Sequence, residues 1–166
     1  MAELRNIIEG RSFSYEGLIS VRQVYQEMRN WLEKQDYHPF EENHVEQQFE
    51  TGKDIKLVIK GDKELSDTAK IKWKSTISFS NLQPVQVKRH GQMYDVYKGK
   101  VSIKTAIRLQ TDYDKTMDQN AFIYFIKVVI DKFVFKSYIH RAVNRIYKQY
   151  GEFEQTIKSY LNMEKF

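Results

Sequence analysis

Lys70-Ile71-Lys72-Trp73-Lys74-Ser75-Thr76-Ile77-Ser78-Phe79 is the stretch whose reading decides the fold. Side chains of an extended chain point alternately to its two sides. Ile71, Trp73, Ser75, Ile77 and Phe79 therefore share one face, and Lys70, Lys72, Lys74, Thr76 and Ser78 the other. Tyr97, Gly99, Val101, Ile103, Thr105, Ile107 and Leu109 repeat the pattern, with Gly99 marking a bulge or bend. Ile55, Leu57 and Ile59 alternate with Lys56, Val58 and Lys60, and Val45, Gln47 and Phe49 alternate with Glu46, Gln48 and Glu50. Val85 and Val87 follow Pro84, and His90-Gly91 reads as a turn into the last strand. Such alternation predicts an antiparallel sheet with one buried and one wet face. The first two strands must place their apolar sets on one face, so directly opposed residues share parity. One such register sets Glu50 against Lys56 and Glu46 against Lys60. Each charge pair of this kind contributes about 0.2–1 kcal/mol.

Helical spacing flanks the strands. Val21, Val24, Tyr25, Met28, Trp31 and Leu32 form one apolar stripe after Ser20, which with Gln23 matches a capping box. Phe13 and Tyr15, just upstream, read either as a short strand or as an apolar staple on that helix. Thr116 with Gln119 suggests a second capping box. Ala121–Phe135 is apolar almost all round; helix is favoured because the pattern runs on through Ile139, Ala142, Val143, Ile146 and Tyr150. Gly151 suits a helix stop, and Phe153, Ile157, Tyr160 and Leu161 suit a short final helix. The predicted architecture is α+β: an antiparallel sheet of about five to six strands packed on a long C-terminal helix, helix-grip-like in outline. It forms a single domain over 1–166, with helices at about 20–35, 118–150 and 152–162 and strands at about 37–111.

The 166 residues suit one domain, and a chain of this size buries roughly 70% of its unfolded surface without metal or disulfide. Aromatics reach 14%, enough large side chains to close a core. Absence of cysteine excludes a disulfide scaffold, a cysteine-ligated metal site and a thiol nucleophile. The N-terminus has no apolar core of a secretory signal, and no run of 18 apolar residues spans a membrane, so a cytoplasmic protein with no membrane partner is expected. Net charge is +5, from 27 basic and 22 acidic residues, which permits but does not require an acidic partner.

Trp31-Leu32 followed by Tyr37, then Ile71-Lys72-Trp73, Tyr97 to Val101, Asp112-Tyr113 and Ile157 to Leu161, appear in this order. In them the chain resembles a group of small uncharacterised archaeal proteins with a helix, sheet, long helix, short helix order. These motifs are structural, and the resemblance implies no activity and transfers no site residue.

The sequence contains no Gly-x-Gly-x-x-Gly, Walker A, His-Glu-x-x-His or Gly-x-Ser-x-Gly motif. No catalytic residue and no cofactor is expected, and a non-catalytic interaction or structural protein is the first reading. Glu42, His44 and Glu46 are the best metal candidate, since alternate residues of a strand face the same way; their competing role is solvent-side pairing with lysines. Asp112, Asp114 and Asp118 follow the last strand and suit either a cation or the start of a helix. Lys70, Lys72 and Lys74 project together from one strand and Lys98, Lys100, Lys104 and Arg108 from another. If those strands are neighbours, the wet face carries a patch able to contact nucleic-acid phosphates. Against this stand its scarcity of aromatics, with Tyr94 the nearest, and the acids Glu42, Glu46 and Glu50; the plain alternative is a solvated face. Finally, Tyr124, Val128, Phe135 and Tyr138 are an apolar surplus that predicts cover by the final helix, by a homodimer or protein partner, or by a ligand in the sheet–helix pocket of a small-ligand carrier or enzyme.

Overall fold

The computed structural model describes residues 2–66, 69–112, 125, 129 and 136–163. Five strands form one antiparallel sheet: β1 (Ala2–Ile19), β2 (His38–Phe49), β3 (Gly52–Ser66), β4 (Ala69–Arg89) and β5 (Gln92–Asp112), in the order β1-β5-β4-β3-β2. Helix α1 (Val21–Lys34) carries the chain from one sheet edge to the other, and α2 (Lys136–Met163) packs beside it on the same face. Among the described residues no helix is long and apolar enough to cross a membrane.

The alternation of β4 and β5 organises everything else. His90 and Gly91, at φ 49° and 82°, turn β4 into β5 as a tight two-residue hairpin. Ile71, Trp73, Ser75, Ile77 and Phe79 then lie against Leu109, Ile107, Thr105, Ile103 and Val101 on one buried face. Trp73 is its centre: the rings of Trp31, Phe153 and Tyr37 lie 5.1 to 5.5 Å from it and Tyr150 at 6.5 Å, mostly edge-on or tilted. Offset geometries of this kind add about 0.5–1.5 kcal/mol per pair beyond area burial. The Trp73 Nε1–H donates to Ser75 Oγ at 2.9 Å, and Ser75 Oγ lies 2.9 Å from Thr105 Oγ1, so the two buried hydroxyls are satisfied. Gly61, paired with Trp73, leaves room for Tyr37, whose Cβ is 3.3 Å from where a Gly61 side chain would start.

Several expectations are corrected. The N-terminal segment is an 18-residue edge strand, not a short strand or a staple. Its alternation is broken by register shifts at Asn6/Ile8 and Glu9/Arg11, which bring Ile7 and Ile8 both into the core and place Gly10 at φ 82°. Ser20 does sit at the N-cap of α1, but its side chain makes no capping bond, and Gln23 Oε1 accepts from the Tyr160 hydroxyl instead. Gly151 does not stop a helix, so there is no separate one at 152–162: Ala142, Ile146, Tyr150, Phe153, Ile157 and Leu161 are one buried stripe running straight through it. Burial of that stripe outweighs the roughly 1 kcal/mol that glycine costs inside a helix. The residues after Pro84 belong to β4, whose register shift between Ser80 and Gln83 faces Gly99; a side chain there would begin 2.9 Å from Ser80 O. The segment 113–135 lies outside the described residues, apart from Phe125 and Val129, which are helical and exposed.

The β2–β3 register also differs. Glu46 faces Ile55 and Val45 faces Lys56, so neither Glu50–Lys56 nor Glu46–Lys60 forms. Val45 and Phe49, the apolar set of β2, are exposed on this edge strand and not in the core. The actual charge pairs are Glu46 with Lys53 and Glu42 with Lys60.

Candidate nucleic-acid interface

β4 and β5 are direct neighbours, so the two sets of cations share one face, opposite the helices. Lys72 stands directly across from Arg108, Thr76 from Lys104, Ser80 from Lys100 and Lys70 from Gln110; Lys98 lies beyond the β4 bulge, across from Gln83. Lys74, Lys98, Lys100, Lys104 and Arg108 are exposed, and Lys70 and Lys72 are half-buried. Lys56 and Lys60 of β3 join them.

Acids trim this field unevenly. Glu42 is the extra residue of the β2 bulge between Glu41 and Asn43, which aims it at Lys60 and, at 3.4 Å, at Lys74. A hydrogen bond from Lys60, aided by the charge of Lys74, holds the Glu42 carboxyl below its usual range. Asp62 is directly across from Lys72, Glu64 from Lys70 and Glu16 from Lys100. Among the described residues, Lys72, Lys98, Lys100, Lys104 and Arg108 have no carboxylate within 4.0 Å.

A groove of about 300 Å³ opens on this face. Lys60, Lys72, Lys74 and Arg108 line it with Asp62 and the small Ala106, and Leu4 of β1 and Phe40 of β2 wall it. Leu4 is 54% and Phe40 49% exposed. These residues come from opposite edge strands, so the groove crosses the full width of the sheet. Phe40 and Leu4 have no place in the sequence reading, and Lys60 appears there only in the strand alternation and as a partner for Glu46. Phe40 lies just before the bulge that resets β2, and only its register against Lys60 brings it to the basic face.

The structure separates the candidate metal residues. His44 Nε2 is 2.8 Å from Glu46 on the helix-facing side, whereas Glu42 points to the lysines on the other. Glu41, 3.8 Å from His44 Nδ1, takes the place expected of Glu42. Hydrogen bonds from Lys53, first, and His44 lower the Glu46 pKa, and Glu46 in turn raises that of Lys53. These groups rim an open hollow of about 470 Å³ near the start of α1, floored by Ile55 and Leu57. Among the described residues no three His, Asp or Glu side chains converge to hold a metal ion. Tyr138 is 37% exposed and donates its hydroxyl to Leu65 O at 3.1 Å. The other three candidate interface residues, Tyr124, Val128 and Phe135, lie outside the described residues, as do Asp114 and Asp118; Asp112 ends β5, paired with Ala2.

No protein-family model matches the chain, and no significant match is found among curated proteins. The functional reading therefore rests on the chemistry of the faces.

Proposed function

We propose that this protein is a non-catalytic binding protein that holds single-stranded nucleic acid on the basic face of its sheet. The observation that carries the reading is the gathering of Lys70, Lys72, Lys74, Lys98, Lys100, Lys104 and Arg108 on one face of two neighbouring strands, with Phe40 beside them. A field of lysines attracts the phosphate backbone without reading base edges, and an exposed aromatic ring supplies a surface on which a base stacks. A sheet with its helices on one side, helix-grip-like in outline, offers two binding places. The centre of the space between sheet and helices is filled by the rings around Trp73, and the hollow near the start of α1 is open to solvent, which favours the outer face over an enclosed ligand pocket.

The test is fluorescence anisotropy with a labelled single strand of about ten nucleotides, between about 50 and 200 mM salt. The logarithm of the association constant falls linearly with that of salt, by about 0.7 per phosphate contacted. Combined replacement Lys70→Glu, Lys72→Glu and Lys74→Glu weakens binding at least about a hundredfold, and unchanged binding removes the reading.

A second reading, self-association, is favoured by one observation. Phe125 and Val129, both helical and one turn apart, are 64% and 41% exposed. Native mass spectrometry then gives a dimer that Phe125→Asp dissociates; a bare monomer counts against it.

A further inference from the structure

The outer groove contains two cross-strand pairs of like charge, next to each other on the ladder. Lys60 stands directly across from Lys74, and Lys72 directly across from Arg108. Like charges in this position repel and are destabilising unless something of opposite sign sits between them. The first pair has that partner: Glu42 reaches both lysines. The second has none within 4.0 Å among the described residues, although Asp62 occupies the β3 position across from Lys72. Ala106, across from Lys74, keeps the floor beside Arg108 low. Among the described residues this second pair therefore has no carboxylate partner, and its two donors are an ammonium and a planar guanidinium, the latter matched to two phosphate oxygens at once. Phe40, directly across from Lys60, stands at the rim with half its surface open.

We infer that this groove is the subsite for one nucleotide unit, its phosphate between Lys72 and Arg108 and its base stacked on Phe40. The inference rests on the nucleic-acid reading and narrows it from a face to a point. Two kinds of side chain do separable work there. Arg108 and Lys72 contribute charge, so their loss lowers both affinity and salt dependence. Phe40 contributes a ring, so its loss lowers affinity and leaves salt dependence alone. Asp62 opposes the phosphate, and its neutralisation strengthens binding.

The test uses labelled oligothymidylate of about ten nucleotides and an abasic phosphodiester strand of equal length. Wild type is compared with Arg108→Gln, Phe40→Ala, Phe40→Trp and Asp62→Asn, with circular dichroism melting to establish that each is folded; all these changes are on the open face. Arg108→Gln weakens binding to both strands about tenfold and reduces the salt slope by about 0.7. Phe40→Ala weakens oligothymidylate about five- to hundredfold at constant slope, Phe40→Trp restores it, and neither changes affinity for the abasic strand. Asp62→Asn tightens both. If wild type binds but Phe40→Ala and Arg108→Gln bind equally well, the subsite is overturned while the lysine face stands. If wild type binds neither strand, the parent reading falls and takes the subsite with it.

Discussion

Trp73 and Lys72 are chain neighbours that leave β4 on opposite sides, and the two sides of the sheet obey different rules. Trp73 is fixed by contact: four rings surround it, its indole N–H is used, and Gly61 is shaped to its neighbour. Lys72 is fixed by almost nothing except its position in the ladder. Substitution on the inner side therefore costs stability, and substitution on the outer side changes mainly the field presented to a ligand. A strand can devote alternate residues to folding and to binding with little cross-talk, because its pleat separates them.

The sharpest way to break this comparison is to remove its inner anchor. Trp73→Ala is expected to cost about 3–5 kcal/mol, seen as a lowered urea midpoint, with oligonucleotide affinity unchanged in conditions where the variant stays folded. A large loss of affinity in the folded variant means the two faces are coupled. Gly61→Ala is gentler: the new methyl meets Tyr37 Cβ at 3.3 Å, an overpacking worth about 1–3 kcal/mol in the same urea experiment. An alkaline titration probes the inner face alone. Burial, then the charge of Glu154, pushes the Tyr150 hydroxyl up to about 12, and burial raises Tyr37 too. A folded value above the unfolded value of about 10 gives stability that is complete below pH 10 and is lost as pH rises toward 12. Tyr150→Phe flattens this decline. The smallest effect lies outside: Glu42→Gln frees Lys60 and Lys74 and tightens oligonucleotide binding about two- to fivefold, with little change in melting temperature.

The central strands were legible in the sequence because they are long, regular and half-buried, so period-two alternation has nothing to compete with. β1 was not, since two bulges place Ile7 beside Ile8 in the core and put Arg11 on the helix side, over the rings of Tyr147 and Tyr150. β2 misled for the opposite reason. It has a clear alternation, Val45 to Phe49, but as an edge strand it turns those residues to solvent, and the bulge at Glu42 separates Glu42 from His44 and Glu46. The α2 boundary was misread because Gly151 is a strong local signal that a long buried stripe overrides. At the candidate site the lysines were visible as a pattern within single strands. Phe40 and Leu4 were not, because they reach the groove from the two edges, and only the register and twist of the whole sheet bring them there.

The crossing helix α1 has a consequence in time. Among the described residues β1 pairs only with β5, from Ile19 against Tyr97 out to Ala2 against Asp112, so β1 waits for the synthesis of β5. At about 5–20 residues per second, that wait is on the order of 5–20 s. Over that interval β1 is an unpaired strand whose apolar residues have no sheet to join. Its Arg5, Glu9 and Arg11 place charge along that strand, which discourages a neighbouring nascent chain from pairing with it first.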